Sequence, residues 1–188
     1  MGDESAMIRN LFRREDGRRR AIEALHIRIN AAARVPALYL ALGVPDTVEG
    51  RFETLCLTVI LVLRRLRQLP APAEDVAQDL VDSVFAQLDS SLRELGVGDL
   101  GVAKRMKKLA QAFYGRARAY DAALDAGDAA ALAAALARNV LGRDAPEAAA
   151  PLAAYVVAAD AALGQHDLDR LMAEGPVLPD PAPFGPAA

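Results

Sequence analysis

The sequence GVGDLGVAKRMKKLAQAFYGRARAY, residues 96–120, decides the fold because it predicts a long helix with two contrasting faces. It opens with a turn that contains three glycines and then continues without proline. When each residue advances about 100° around the helix, apolar side chains recur along one stripe, which consists of Val102, Met106, Leu109, Phe113, Tyr120 and Leu124. Such a stripe is typical of a helix that packs against a core, so the stretch predicts a helical domain.

The opposite side of this helix carries a concentration of positive charge. Six lysines and arginines, and no acidic residue, occur between Lys104 and Arg118, although the whole chain has a formal net charge of −3. A charge run is usually a solvated face, but this concentration favours a surface for an anionic partner. We therefore predict a contact face, here called the basic face, that consists of Lys104, Arg105, Lys107, Lys108, Tyr114, Arg116 and Arg118.

Acidic residues one helix earlier provide an alternative explanation. A helix is predicted over residues 73–95, and one side of it carries Asp75, Asp79, Asp82 and Asp89. These carboxylates would neutralise the basic face internally if the two helices paired along their charged sides. Exposed pairs of this kind contribute only about 0–1 kcal/mol, so removing the charges would distinguish neutralisation from docking.

The composition favours helices that pack closely on one another. The chain has 188 residues, of which 53% are hydrophobic, many of them alanine, whereas aromatic residues make up only 5%. The near-neutral net charge argues against a general nucleic-acid binder, which is normally basic throughout. A single cysteine, Cys56, excludes an internal disulfide and favours a reducing compartment.

Helical periodicity continues along the chain, so we expect an all-α, single helical-bundle domain of about seven helices. Residues 48–69 are apolar almost all round in the middle, which predicts the central helix of the bundle. Residues 1–17 are predicted to be a flexible arm, residues 18–174 the helical domain, and residues 175–188 a disordered proline-rich tail. No signal peptide or membrane-spanning helix is expected, because the longest apolar run covers only residues 55–63.

No arrangement of residues indicates catalysis. The nucleophile-elbow, phosphate-loop and zinc-protease motifs are missing from the sequence. Gly96, Gly98 and Gly101 match G-x-G-x-x-G, but they join two predicted helices, whereas a dinucleotide site follows a strand. The histidines and the cysteine lack metal-ligand spacing, so we expect no enzyme activity, no cofactor and no metal.

Two carboxylates precede the central helix and have two interpretations. Asp46 is followed three residues later by Glu49, which has the form of a capping box with Asp at the first position. Both would also lie at the positive end of the helix dipole. A helix cap is the favoured interpretation, and a polar site at the end of the bundle is the alternative.

Two long segments resemble the ubiquinol–cytochrome c chaperone family. They are LYLALGVPDTVEGRFE, residues 38–53, and ELGVGDLGVAKRMKKLAQAFYGRARAY, residues 94–120, with LVLRRLR and DSSLRE between them. The resemblance covers roughly residues 38–124, and the richness in alanine, arginine and proline points to a bacterial member. It implies a non-catalytic assembly factor, or chaperone, for cytochrome b of the ubiquinol–cytochrome c reductase (bc1) complex, a complex also called respiratory complex III.

The resemblance also implies the kind of partner. Nascent or newly inserted cytochrome b is the expected client, the ribosome is a candidate site of docking, and a small partner protein is a further candidate. The basic face itself also suits an anionic membrane surface. No small-molecule substrate is expected. The implied location is cytoplasmic, with peripheral attachment at the inner membrane as a further expectation. The alternative, based on the basic face alone, is a helical RNA- or ribosome-binding module unrelated to respiration.

Overall fold

The computed structural model describes residues 15–96 and 98–186, and within these ranges every regular element is helical. This confirms the all-α prediction. Two short 3-10 helices, Pro146–Ala149 and Ala182–Phe184, accompany the α-helices. The α-helices are α1 (Glu15–Ala32), α2 (Pro36–Leu40), α3 (Val48–Arg67), α4 (Ala73–Glu94), α5 (Asp99–Ala126), α6 (Ala129–Asn139), α7 (Ala150–Leu163) and α8 (Leu168–Glu174).

The central element is α3, as its apolar sequence predicts. It packs against α1, α4, α5 and α7, and its residues from Cys56 to Leu63 are all buried. Two polar side chains of α3 are buried, and both hydroxyls are satisfied by the helix itself. Thr58 Oγ1 donates to the carbonyl of Thr54 at 2.8 Å, and Thr54 Oγ1 reaches the carbonyl of Arg51 at 3.0 Å. Buried polar groups with partners of this kind do not weaken the core.

The cap of α3 differs from the sequence prediction by one residue. Thr47, not Asp46, is the N-cap, and its Oγ1 accepts a hydrogen bond from the Gly50 amide at 3.1 Å. Asp46 instead accepts from Arg51 Nε at 2.7 Å, and Glu49 lies exposed in the first turn. The extended backbone of Thr47 places its hydroxyl over the first turn of the helix. Which of two neighbouring side chains caps the helix depends on this backbone conformation, which the sequence pattern does not reveal.

The proline-rich C-terminal segment also departs from its prediction. Up to residue 186 it packs on the helical domain, whereas the sequence predicted a disordered tail. The Phe184 ring meets the Tyr155 ring edge-on at 5.7 Å between centroids. Gly175 lies so close to α1 that a Cβ there would be 2.5 Å from Arg28 Cβ. Prolines restrict the backbone, so ordering this segment loses less entropy than its irregular sequence suggests.

The predicted N-terminal arm lies mostly outside the described residues. Its last members, from Glu15 to Gly17, already belong to α1. In the part of the chain that the structure describes, no single helix is long and apolar enough to cross a membrane. The pair formed by residues 146–163 and α8 has suitable length and composition, but it is bent by 115° and its apolar residues, such as Leu152 and Leu171, are buried inside the protein.

Candidate docking surface

The basic face lies on α5, which is fixed to the domain by its opposite side. Val102, Phe113 and Tyr120 are buried on that side, and Met106 and Leu109 of the predicted stripe are half-buried. The helix begins after Gly98 and ends at Gly127, whose φ of 62° is the left-handed conformation that glycine adopts readily. The apolar contacts therefore hold α5 in one orientation and leave its other side in solvent.

Five cations of the basic face are exposed and lack internal partners. Within the described ranges 15–96 and 98–186, none of them forms an ion pair or a side-chain hydrogen bond. Their charges are consequently available to a partner from outside the chain. We call this set the unpaired basic face: Lys104, Arg105, Lys107, Lys108 and Arg118.

Arg116 has a different place from the one that the sequence predicted. Its guanidinium forms two hydrogen bonds with the carboxylate of Glu53 on α3, at 2.8 and 2.6 Å. The two side chains are only 17% and 12% exposed, so this pair joins α3 to α5 within the domain. Burial raises the pKa of Glu53, and the charge of Arg116 opposes that rise. Arg116 is therefore a packing residue and does not belong to the unpaired basic face.

Cys56 lies one turn further along α3. It is buried, and burial raises the pKa of its thiol to about 12. A thiol with that pKa stays protonated near neutral pH and is a poor nucleophile or metal ligand. Among the residues that the structure describes, no group of histidine, cysteine, aspartate or glutamate side chains is arranged to hold a metal ion.

In the described residues no acid of α4 forms an ion pair with the unpaired basic face, which speaks against the neutralisation alternative. Asp79 pairs with Arg18 of α1, and Arg18 also donates to the backbone oxygen of Asp75. Asp89 pairs with Arg93, while Asp82 accepts from Gln78 at 2.9 Å. The acidic side of α4 thus faces α1 and its own helix, although α4 and α5 are packed neighbours.

Tyr114 stands at the edge of the unpaired basic face, and aromatic contacts hold it there. Its ring stacks on Phe85 of α4 at 6.5 Å between centroids and meets the Phe113 ring edge-on at 5.6 Å. Phe85 and Phe113 also touch each other at 5.8 Å. The ring of Tyr114 is fixed by this cluster, yet the residue remains 52% exposed.

The sequence interpretation missed two leucines beside the basic face. Leu95, at the end of α4, is 79% exposed, and Leu100, in the first turn of α5, is 91% exposed. Leu100 precedes Lys104 by four residues, so helical spacing alone could have placed it on the charged side. The corner between α4 and α5 therefore presents leucine side chains next to unpaired cations.

The second candidate site, around Asp46 and Glu49, does not come together as a polar cluster. The Arg51 hydrogen bond lowers the pKa of Asp46, and both acids are exposed. A groove of about 420 Å³ lies beside them and is lined by Arg34, Tyr39 and Leu40 among others. A larger groove of about 960 Å³ separates α1 from α4 and contains His26. Ser83 also lines the larger groove, where its Oγ lies 3.1 Å from His26 Nδ1, and Asp79 in the same groove is bound by Arg18.

Comparison with known proteins supplies the family. A family model described as ubiquinol–cytochrome C chaperone matches residues 40–178. The chain belongs to this family. The resemblance that the sequence suggested is confirmed, and the match extends beyond residue 124 to include α6, α7 and α8.

A solved structure supports membership of the chaperone family. The crystal structure of the Cbp3 homolog from Brucella abortus is 43% identical in sequence, with a TM-score of 0.78. The alignment covers 93% of this chain and 97% of that one. None of the curated proteins matches the chain. Membership supports a chaperone role in assembly of the bc1 complex, which is carried out by binding a protein partner and is not in itself a catalytic activity.

Proposed function

We propose that this chaperone is a non-catalytic assembly factor for cytochrome b of the bc1 complex and that it docks through the unpaired basic face. The observation that carries the docking role is the group of five cations that are exposed on a firmly packed helix and have no acid against them in the described chain. These exposed charges are all of one sign, whereas the whole chain has a formal net charge of −3, and such a concentration favours an anionic partner.

Each cation of the unpaired basic face should contribute little to binding alone, so several must act together. An exposed cation contributes about 1 kcal/mol near an anionic membrane surface, and this contribution decreases as salt screens the charge. One substitution in the unpaired basic face should therefore have a mild effect, whereas reversing several charges should abolish docking. The packing contacts of α5 lie on its other side, so these substitutions leave the fold intact.

Deletion of the gene tests the proposed function. We expect the content of cytochrome b and the activity of the bc1 complex to fall, because the client lacks its assembly factor. The other respiratory complexes should stay near their normal levels, and the wild-type gene returned in trans should restore cytochrome b. A deletion strain with a normal cytochrome b content would contradict the proposal.

A second candidate function uses the same five cations. A helical module that binds ribosomal RNA would place its lysines and arginines on phosphates, and its affinity would fall steeply with salt. Co-sedimentation with ribosomes that is lost at high salt, together with normal cytochrome b in the deletion strain, would favour this function over assembly of the bc1 complex.

A further inference from the structure

We propose that the partner of the unpaired basic face is an anionic lipid bilayer, whose headgroups bind the cations while Leu95 and Leu100 enter the apolar boundary. The inference rests on the proposed docking role of that face and identifies what it docks to. A chaperone attached in this way would be held at the surface where a membrane protein is inserted.

The exposed side of α5 has the geometry of a surface-lying helix. Side chains recur every three or four residues along one line that contains Leu100, Lys104, Lys107, Gln111, Tyr114 and Arg118, all of them exposed. Lys108 lies beside this line. A flat membrane contacts a helix along such a line, so these cations can reach headgroups at the same time.

The two leucines favour lipid over nucleic acid. Leu95 and Leu100 are among the most exposed large apolar side chains in the described chain, and they project at the corner where α4 gives way to α5. RNA phosphates offer such side chains no apolar environment, whereas the boundary between headgroups and acyl chains does. Tyr114 further along the line carries a ring with a polar end, which suits the headgroup level.

One cation serves two carboxylates at the corner. Arg93 binds Asp89 at 2.6 Å and Asp99 at 2.5 Å, and the exposed Glu94 accepts a hydrogen bond from Ser90, so the corner keeps negative charge that the five cations of the unpaired basic face outnumber. Further along α5, the next acids, Asp121 and Asp125, are bound by arginines of α3. The carboxylates on α5 therefore have cationic partners inside the protein, while every cation of α5 except Arg116 lacks an acidic partner in the described chain.

Vesicle sedimentation with the full chain tests the apolar part of the proposal. The protein should bind vesicles in which about one third of the lipid is phosphatidylglycerol, and it should not bind pure phosphatidylcholine vesicles. Leu95→Ala with Leu100→Ala should lower the partition coefficient about tenfold, since each change removes apolar surface from the lipid boundary. The matched control is Leu40→Ala, which shortens a leucine that is 86% exposed but outside this corner.

A second pair of variants distinguishes the effect of the unpaired basic face on vesicle binding from the effect of the net charge of the protein. In the first, Lys104, Lys107, Lys108 and Arg118 are changed together to glutamate, which should abolish binding to phosphatidylglycerol vesicles. The control changes four exposed arginines elsewhere to glutamate and alters the net charge equally, so it should retain most of the binding if α5 is the contact. The control positions are Arg19, Arg34, Arg138 and Arg143.

Three results would overturn the proposal. They are failure of the wild-type protein to bind anionic vesicles at low salt, equal binding by the double leucine variant, and equal loss of binding in the two charge-reversed variants. If the protein retains a ribosomal RNA fragment but no vesicles, the face binds RNA. The cytochrome b content of the deletion strain is measured separately, so the assembly role can stand when vesicle binding fails.

Discussion

The two halves of α5 use charge in opposite ways. The first half carries four of the five cations of the unpaired basic face, which are exposed and lack acidic partners within residues 15–96 and 98–186, and Arg118 follows in the second half. The second half carries Asp121 and Asp125, which Arg67 and Arg64 of α3 bind at 2.6 Å each. Charged residues of α5 thus form ion pairs where the helix packs against α3. The charges left unpaired are concentrated where a partner from outside can reach them.

Burial explains why the paired half must be paired. Arg64 is only 11% exposed and lies 2.6 Å from Asp125, 3.1 Å from Asp160 and 3.5 Å from Asp121. A charge removed from water in this way is costly unless several groups of opposite sign surround it. The cations of the unpaired basic face keep their hydration, so they need no partner for the chain to fold.

The largest effect on stability is expected at Arg116, whereas Arg118, two residues further along, should contribute little. Arg116→Ala should lower the free energy of unfolding by about 3 kcal/mol, because the carboxylate of Glu53 stays buried without its partner. Arg118→Ala, the matched control on the exposed side, should change it by less than about 0.5 kcal/mol. Urea unfolding measures both. Equal costs would mean that the division of α5 into a packing side and a free side is wrong.

A smaller loss is expected in the paired half of α5. Arg64→Ala should cost about 2 kcal/mol, since hydrogen bonds to charged groups are lost and three aspartates face one another. Asp121 Oδ1 is most affected, because it is buried and has no hydrogen-bond partner of its own. Thermal unfolding at neutral pH measures the loss. A melting temperature equal to that of the wild type would show that this cluster does not contribute to stability.

Acid should weaken the fold through His26. His26 is buried between α1 and α4, where burial lowers its pKa below the ordinary value of 6.5. The unfolded chain then binds more protons as the pH falls below 6.5, so stability present above 6.5 is lost toward the lower pKa of the folded state.

Urea unfolding at about pH 7.5 and about pH 5.5 measures this change. His26→Gln removes the titrating ring, although it also changes the contact with Ser83 Oγ, which lies 3.1 Å from Nδ1. The quantity to compare is therefore the change in the free energy of unfolding between the two pH values in each protein. The wild type should lose more stability than the variant on acidification, and parallel losses would rule out His26 as the cause.

Periodicity was sufficient to predict the fold. The buried stripe of α5 and the apolar α3 follow from spacing alone, because a helix must bury its apolar side. Pairing was harder, since the partner of a charged residue depends on how helices meet. Even so, Arg116 lies three residues after Phe113 and four before Tyr120, both buried. That position already indicates an inward-facing arginine.

The remaining differences have local physical causes. Thr47 replaces Asp46 as the cap of α3 because the backbone path at the helix start decides which side chain reaches the Gly50 amide. The C-terminal segment is ordered by contacts such as that of Phe184 with Tyr155. Composition alone predicted disorder because it does not reveal contacts between residues that are far apart in the sequence. The cations of the docking surface could be predicted from the sequence. Leu95 and Leu100 were recognised as part of it only from their exposure in the structure.

The most direct test of the central claim is the cytochrome b content of a strain whose only copy carries glutamate at residues 104, 107, 108 and 118. We predict that this variant is folded, with a melting temperature close to that of the wild type, but that cytochrome b falls to the level of the deletion strain. The charge-reversed control at residues 19, 34, 138 and 143 should support normal cytochrome b. Normal cytochrome b with the first variant, or loss of its fold, would contradict a docking role for the unpaired basic face.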